Sequence, residues 1–179
     1  MDDAILLNIE AGHVQPATRP SPGYFEHIKK VNDIFYDQIK ISDQKAAYIF
    51  TFMLAFLVTS SEGRSVFTWT RYSTGTPEGI IFSGLLAISS MAAVISAIMV
   101  ILPRQVSVST SMFWGAWTKH KSDFSAAAAR DDAAYLFNQY VDNADVLSQI
   151  ARGKYRWVTY AFRSLMVTVL SYVLLLVSV

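Results

Sequence analysis

The chain has 179 residues, with fifteen Lys and Arg against fourteen Asp and Glu, 53% hydrophobic residues and no cysteine. A net charge of +1 lacks the basic excess that binding a nucleic-acid polymer calls for, and the missing thiols exclude disulfides and a cysteine nucleophile, which fits a polar part held in a reducing cytosol. The apolar residues collect in three stretches, Ala46–Ser61, Gly79–Pro103 and Val158–Val179, and their placement predicts an all-α integral membrane protein with three transmembrane helices and a small helical cytoplasmic domain.

Residues 1–23 read as a linker. Met1-Asp2-Asp3 is acidic where a signal peptide needs a basic start, and Ala4 to Ile9 is too short an apolar run for its core. Pro16, Pro20 and Pro22 argue for extended chain. Ser21-Pro22-Gly23 then has the chemistry of a helix start, with serine available as a cap and proline tolerated in the first turn. Over 24–42, Phe25, Ile28, Val31, Phe35 and Ile39 recur at helical spacing, with Glu26, Lys29, Lys30, Asp33, Asp37 and Lys40 on the other face. The segment is an amphipathic helix, lying on the membrane surface ahead of the first span or forming one wall of the cytoplasmic domain.

The first transmembrane helix is expected over 43–61. Its uncharged core is about 24 Å long at 1.5 Å per residue, and its polar flanks can occupy the headgroup zones. Residues 62–78 form an external loop. The second span, 79–103, contains no charged residue before Arg104 and exceeds the roughly 30 Å hydrocarbon core. Along it Ser83, Ala87, Ser90, Ala93 and Ala97 make a stripe of small residues. Such a stripe lets helices pack closely, either within the chain or between copies around a hydroxyl-bearing pore.

Residues 104–156 are too long for a plain turn and read as a cytoplasmic helical region. Trp114 and Trp117 read as interfacial anchors, with base stacking the alternative. From Phe124 the sequence favours helix, and beyond Asp132 the residues Phe137, Val141, Ala144, Leu147 and Ile150 share a face. A helix continuing through Gly153 into the third span, 157–179, makes a rigid rod from the domain to the bilayer. That span carries Arg163 near its start, where a long side chain can snorkel.

Twelve basic residues fall in 1–45 and 104–156, against Arg64 and Arg71 alone in 62–78. The positive-inside rule then puts the N-terminus and 104–156 in the cytoplasm and the C-terminus on the far, periplasmic face. No enzyme motif is present: His13, His27 and His120 lack metal-site spacing, and there is no phosphate loop or nucleophile elbow. No carboxylate lies inside the three apolar stretches, which argues against a conventional transporter. An enzyme is not expected, nor is a cofactor or metal.

Ser42-Asp43-Gln44-Lys45-Ala46-Ala47 entering the first span, Leu102-Pro103-Arg104 closing the second, Phe113-Trp114-Gly115 after it, and Gln149-Ile150-Ala151-Arg152-Gly153-Lys154-Tyr155 entering the third together resemble the transmembrane effectors of Pycsar, the pyrimidine cyclase system for antiphage resistance. The likeness runs from about Tyr24 onward. It implies a multi-pass protein of the bacterial inner membrane, partnered by a neighbouring pyrimidine cyclase whose cyclic nucleotide triggers loss of membrane integrity and abortive infection. The ligand it implies is cyclic CMP or cyclic UMP, with cyclic CMP ahead. The chain has no recognisable cyclic-nucleotide-binding β-roll, so the messenger must bind among helices.

Such a ligand needs cations for its phosphate, amides for its base edge and an aromatic face. On the motifs that carry the resemblance, the candidates are Lys45, Arg104 and Lys154 for phosphate, Asn143 and Gln149 for base or ribose, and Tyr155 or Trp114 for stacking, with Lys29 and Arg130 in reserve. The basic candidates equally suit plain positive-inside flanks. Asp43 is a candidate partner for Lys154 or Arg104 that fixes the resting state, and Ser83, Ser90 and Ala97 are candidates for gating or structure. A pore requires a homo-oligomer, since three helices of one copy enclose no water-filled path. Two other readings stay open: a membrane anchor or adaptor for a cytoplasmic partner, and a small ion channel not gated by a nucleotide.

Overall fold

A computed structural model describes residues 20–102, 110–112 and 115–178. These form helices and turns, with no strand among the described residues. The helices are α1 (Pro22–Thr59), α2 (Ser61–Ser65), α3 (Trp69–Ser73), α4 (Pro77–Ile101), α5 (Trp117–Ala129) and α6 (Ala133–Ser178). Among the described residues three helices, α1, α4 and α6, are long and apolar enough to cross a membrane.

α1 is one unbroken helix of 38 residues, about 57 Å long, so the amphipathic segment and the first span are a single rod. The polar Ser42 and Asp43 interrupt the apolar pattern but not the helix backbone. Ser42 stays helical by returning its hydroxyl to the Gln38 carbonyl at 2.9 Å. At the start of α1, Ser21 contributes no side-chain cap; its carbonyl instead accepts from the Phe25 N–H at 3.2 Å. α1 ends at Ser60, whose extended backbone turns the chain and whose hydroxyl caps α2 by accepting from the Gly63 N–H at 3.0 Å. A Cβ at Gly63 would lie 3.1 Å from the Phe56 ring and 3.2 Å from the Phe56 carbonyl oxygen, so any larger residue there makes the end of α1 give way by a few tenths of an ångström.

The segment read as a plain loop, 62–78, thus holds two short helices, α2 and α3. They are closed by Tyr72, whose hydroxyl donates to the Val66 carbonyl at 2.6 Å. α4 starts at Pro77, capped by Thr76. α5 begins at Trp117, earlier than the helix-forming run from Phe124 suggests. It ends in a tight turn in which Asp131 takes a positive φ of 51°. Asp132 then caps α6, its carboxylate accepting from the Tyr135 N–H at 3.0 Å. α6 runs 46 residues, about 69 Å, straight through Gly153, a second rod beside α1.

α1 and α6 run in parallel and pack directly on each other, and α4 runs antiparallel against both. Ala46, Ile49 and Met53 meet Ala93, Ala97 and Val100 of α4 and Val158 and Ala161 of α6 in one core cluster. At the opposite end Val66, Leu86 and Leu175 form a second, with the Phe56 and Tyr172 rings edge to face at 5.2 Å. The alanines allow close backbone approach, which is how helices associate where lipid offers no hydrophobic drive. The outward residues of α4, Ile81, Leu85, Ile88, Met91, Ile95 and Ile98, are exposed and apolar, suited to lipid. Beyond the bundle the first turns of α1 and α6 continue as a helical head, where Phe25 packs edge to face on Tyr140 at 5.6 Å.

Candidate functional site at the head–bundle junction

Where the rods leave the bundle, three helices meet at one charge. Lys154 of α6 donates to the Asp43 carboxylate of α1 and, at 2.8 Å, to the Val100 carbonyl near the end of α4. That carbonyl belongs to the last turn of α4, where acceptors lack intrahelical partners and the helix dipole favours a cation. The Lys154 side chain is 8% exposed and Asp43 is 40% exposed, so the ammonium is enclosed while the carboxylate keeps one side open. In this conformation Lys154 is a structural latch and not an open phosphate ligand; reaching a ligand means leaving Asp43. Asp43 thus pairs with Lys154, one of the two partners expected for it from the sequence.

The remaining sequence candidates divide. On one flank of α1, Tyr155 donates its hydroxyl to the Gln38 side chain, and the exposed Lys45 ammonium sits 5.9 Å from the Tyr155 ring centroid. Asn143 lies eleven residues before Lys154 on α6, about 16 Å further into the head. Both ends of its amide are engaged: it donates to Asn32 at 2.7 Å and accepts from Thr110 at 3.1 Å. Asn32 in turn donates to the Ile28 and Tyr140 carbonyls at 2.8 and 2.9 Å. Asn143 therefore fixes the register of the two rods and does not share a site with Lys154. Gln149 is exposed, on the opposite side of α6 from the buried Lys154. Arg104 and Trp114 lie outside the described residues. Of the reserves, Lys29 pairs with Glu26 at 2.9 Å, a hydrogen bond that raises its pKa above the ordinary lysine value, and Arg130 is exposed.

Ser83, Ser90 and Ala97 are fully buried between helices of the one chain. Ser90 returns its hydroxyl to the Ala87 carbonyl at 2.9 Å, and Ser83 accepts from Arg71 at 3.2 Å. The small-residue stripe thus packs within the chain, and copies that associate in this conformation meet through other faces.

The open side of Asp43 faces a groove of about 480 Å³ on the other flank of α1, lined by Tyr36, Ile39, Lys40, Asp43, Gln44, Ala47 and Ile101. It brings together an exposed aromatic ring, an ammonium, an amide and a carboxylate. Tyr36, Lys40 and Gln44 were not among the sequence candidates. Their signal is the spacing of four, which stacks them on one helix face beside Asp43. A second cavity, about 500 Å³, opens at the tip of the head between Pro22, Phe25, Phe124 and Leu136. Its charged lining is Glu26, Asp131 and Asp132, with no lysine or arginine among them, which disfavours an anion.

Three spanning helices, a helical head continuous with two of them, and a buried charge clasp between head and bundle define a polytopic α-helical membrane protein. Residues 27–179 match the Pycsar effector protein domain, and the chain belongs to that family of antiphage defence effectors. Comparison with curated proteins and with solved structures gives no match.

Proposed function

We propose that the chain answers a cyclic pyrimidine nucleotide, made by a neighbouring cyclase, by opening or clustering in the bacterial inner membrane, so that membrane integrity fails and the infected cell dies. The observation that carries this reading is the Asp43–Lys154–Val100 latch, enclosed on the bundle side and open to a nucleotide-sized groove on the other. The head and the clusters of Lys and Arg face the cytoplasm, where the messenger is made.

In the groove the base stacks on Tyr36, the phosphate meets Lys40, and Gln44 serves the ribose or base edge. Cytosine presents an amino group that donates to a carboxylate, whereas uracil presents a carbonyl oxygen there, which a carboxylate repels. Asp43 therefore favours cyclic CMP over cyclic UMP. Drawing Asp43 towards the base takes the counterion from a buried ammonium, and Lys154 must then move to regain a partner or water. Because α1 and α6 are unbroken through this level, a change at the latch displaces the spans as well. The messenger must bind the opened form more tightly than the latched one, and the latched form must dominate without it. Several copies are needed to enclose a water-filled path.

The test is calorimetric titration of the detergent-purified chain with cyclic CMP, cyclic UMP and cyclic AMP, repeated on Tyr36→Ala, Lys40→Ala and Asp43→Asn. Selective cyclic CMP binding that each substitution weakens supports the reading. Binding of no nucleotide sinks direct sensing. Membrane depolarisation that occurs without the cyclase favours an ion channel gated otherwise, and no depolarisation even with it favours an adaptor.

A further inference from the structure

The outward face of α6 carries a feature that neither latch nor groove uses. Arg152, Arg156 and Arg163 are spaced by four and by seven residues, which places them on one side of a helix with 3.6 residues per turn. All three are exposed, whereas Lys154, Val158 and Ala161 on the other side are buried. The salt bridges among the described residues join Lys29 to Glu26, Arg71 to Glu62 and Lys154 to Asp43, and none engages these arginines. The acid on the same face, Asp145, precedes Arg152 by seven residues, about 10 Å along the axis.

A positively charged flank accounts for Arg152 and Arg156 but not for Arg163. It lies about 10 Å beyond Arg156 along the helix, among the exposed apolar side chains of Phe162, Met166 and Leu170. A cation there cannot remain among acyl chains unpaired; its long stem carries the guanidinium back along the helix, towards Arg156 and the level of the lipid phosphates. The residue type also points to phosphate. The inward cation of this stretch is a lysine, matched to one carboxylate and one carbonyl, while the three outward ones are all arginine, whose planar fork binds phosphate oxygens in pairs and sheds water more easily.

We infer that this arginine stripe binds the phosphate headgroup of an anionic membrane lipid. The lipid holds α6 at a fixed depth and rotation, with Arg163 drawn up against it, independently of any messenger.

The experiment is native mass spectrometry of the detergent-purified full chain titrated with phosphatidylglycerol and, separately, with phosphatidylcholine. Wild type should retain phosphatidylglycerol in preference, and neutralising each arginine should weaken that retention about fivefold. The variants are Arg163→Gln alone and Arg152→Gln, Arg156→Gln and Arg163→Gln combined. Replacing all three by lysine keeps the charge and removes the fork; it should fold as wild type does and lose part of the preference, and it serves if the combined glutamine variant fails to fold. Equal retention of both lipids by wild type, or undiminished preference in the variants, overturns the inference. So does a variant that changes the number of associated copies and leaves lipid preference intact, since the face would then be a contact between chains.

Discussion

Each end of the three-helix bundle is closed by an ion pair, and the two closures differ in what they join. At the head end Lys154 and Asp43 come from helices 111 residues apart in sequence, and the Val100 carbonyl adds the third helix. At the loop end Arg71 meets Glu62 at 3.1 Å and Ser83 at 3.2 Å, within one stretch of chain. The Lys154 side chain is 8% exposed, while Arg71 and Glu62 stand at 25% and 27% and keep water within reach. The first closure therefore sets how whole helices sit against one another, and the second only pins a loop to the bundle it covers. A buried charge with long-range partners can act as a switch, because changing it moves large elements; a local, partly hydrated pair cannot.

The strongest way to break this contrast is Lys154→Met. It leaves the Val100 carbonyl and the bundle side of Asp43 without a donor, at a cost of about 2 kcal/mol, reduced from the fully buried case because Asp43 is half open to water. Unfolding in mixed detergent micelles should shift by that amount, and resting membrane leakage in cells should rise. A variant as stable and as silent as wild type would remove the latch from the account. Asp43→Asn keeps an oxygen that accepts from Lys154 but takes the negative charge from beside an ammonium that is 8% exposed; the expected loss is about 2 kcal/mol, seen by the same unfolding measurement.

Between the two ends, Thr168 donates to Ser89 at 3.0 Å inside the bundle. A double-mutant cycle of Thr168→Val with Ser89→Ala should return a coupling of about 0.6 kcal/mol, the usual size for a hydrogen bond between spanning helices. A value near that of the head latch would mean that the bundle interior, not its ends, sets the resting arrangement.

Much of the fold was legible because its signals are local. Three apolar stretches, their flanks and the Ser-Pro start of α1 can each be read within one helix. The continuity of α1 was less so: polar Ser42 and Asp43 look like a boundary between elements, yet backbone helix hydrogen bonds form regardless of the change in side-chain polarity, and the helix runs through. The two short helices of 62–78 were missed because five residues are too few to show a period. The site was partly legible. Asp43 and Lys154 stood out as charges at span entrances, but which side of each helix faces a neighbour depends on rotation. So Asn143 and Gln149, alike as amides on one helix, end up inside a polar network and on an exposed face. Lys40 belongs to the polar face of the amphipathic segment and Gln44 to the motif entering the first span, while Tyr36 carries no signal of its own; nothing within that helix tells that α4 ends beside them to wall a groove.

The loop end supplies the smallest and most discriminating test. Arg71→Ala removes a pair that water can partly replace, so global stability should fall by no more than about 0.2–1 kcal/mol. The effect should be local. α2 and α3 are short, and without the guanidinium over Ser83 their attachment rests on Val66 and the Tyr72 hydroxyl. Hydrogen exchange of residues 61–73 should therefore quicken while the amides of α4 and α6 keep their protection, since local opening needs less free energy than global unfolding. Resting leakage should stay at the wild-type level. If Arg71→Ala instead loosened α4 along its length and raised leakage as Lys154→Met does, the two ends would be parts of one clasp, and the switch could not be assigned to the head end alone.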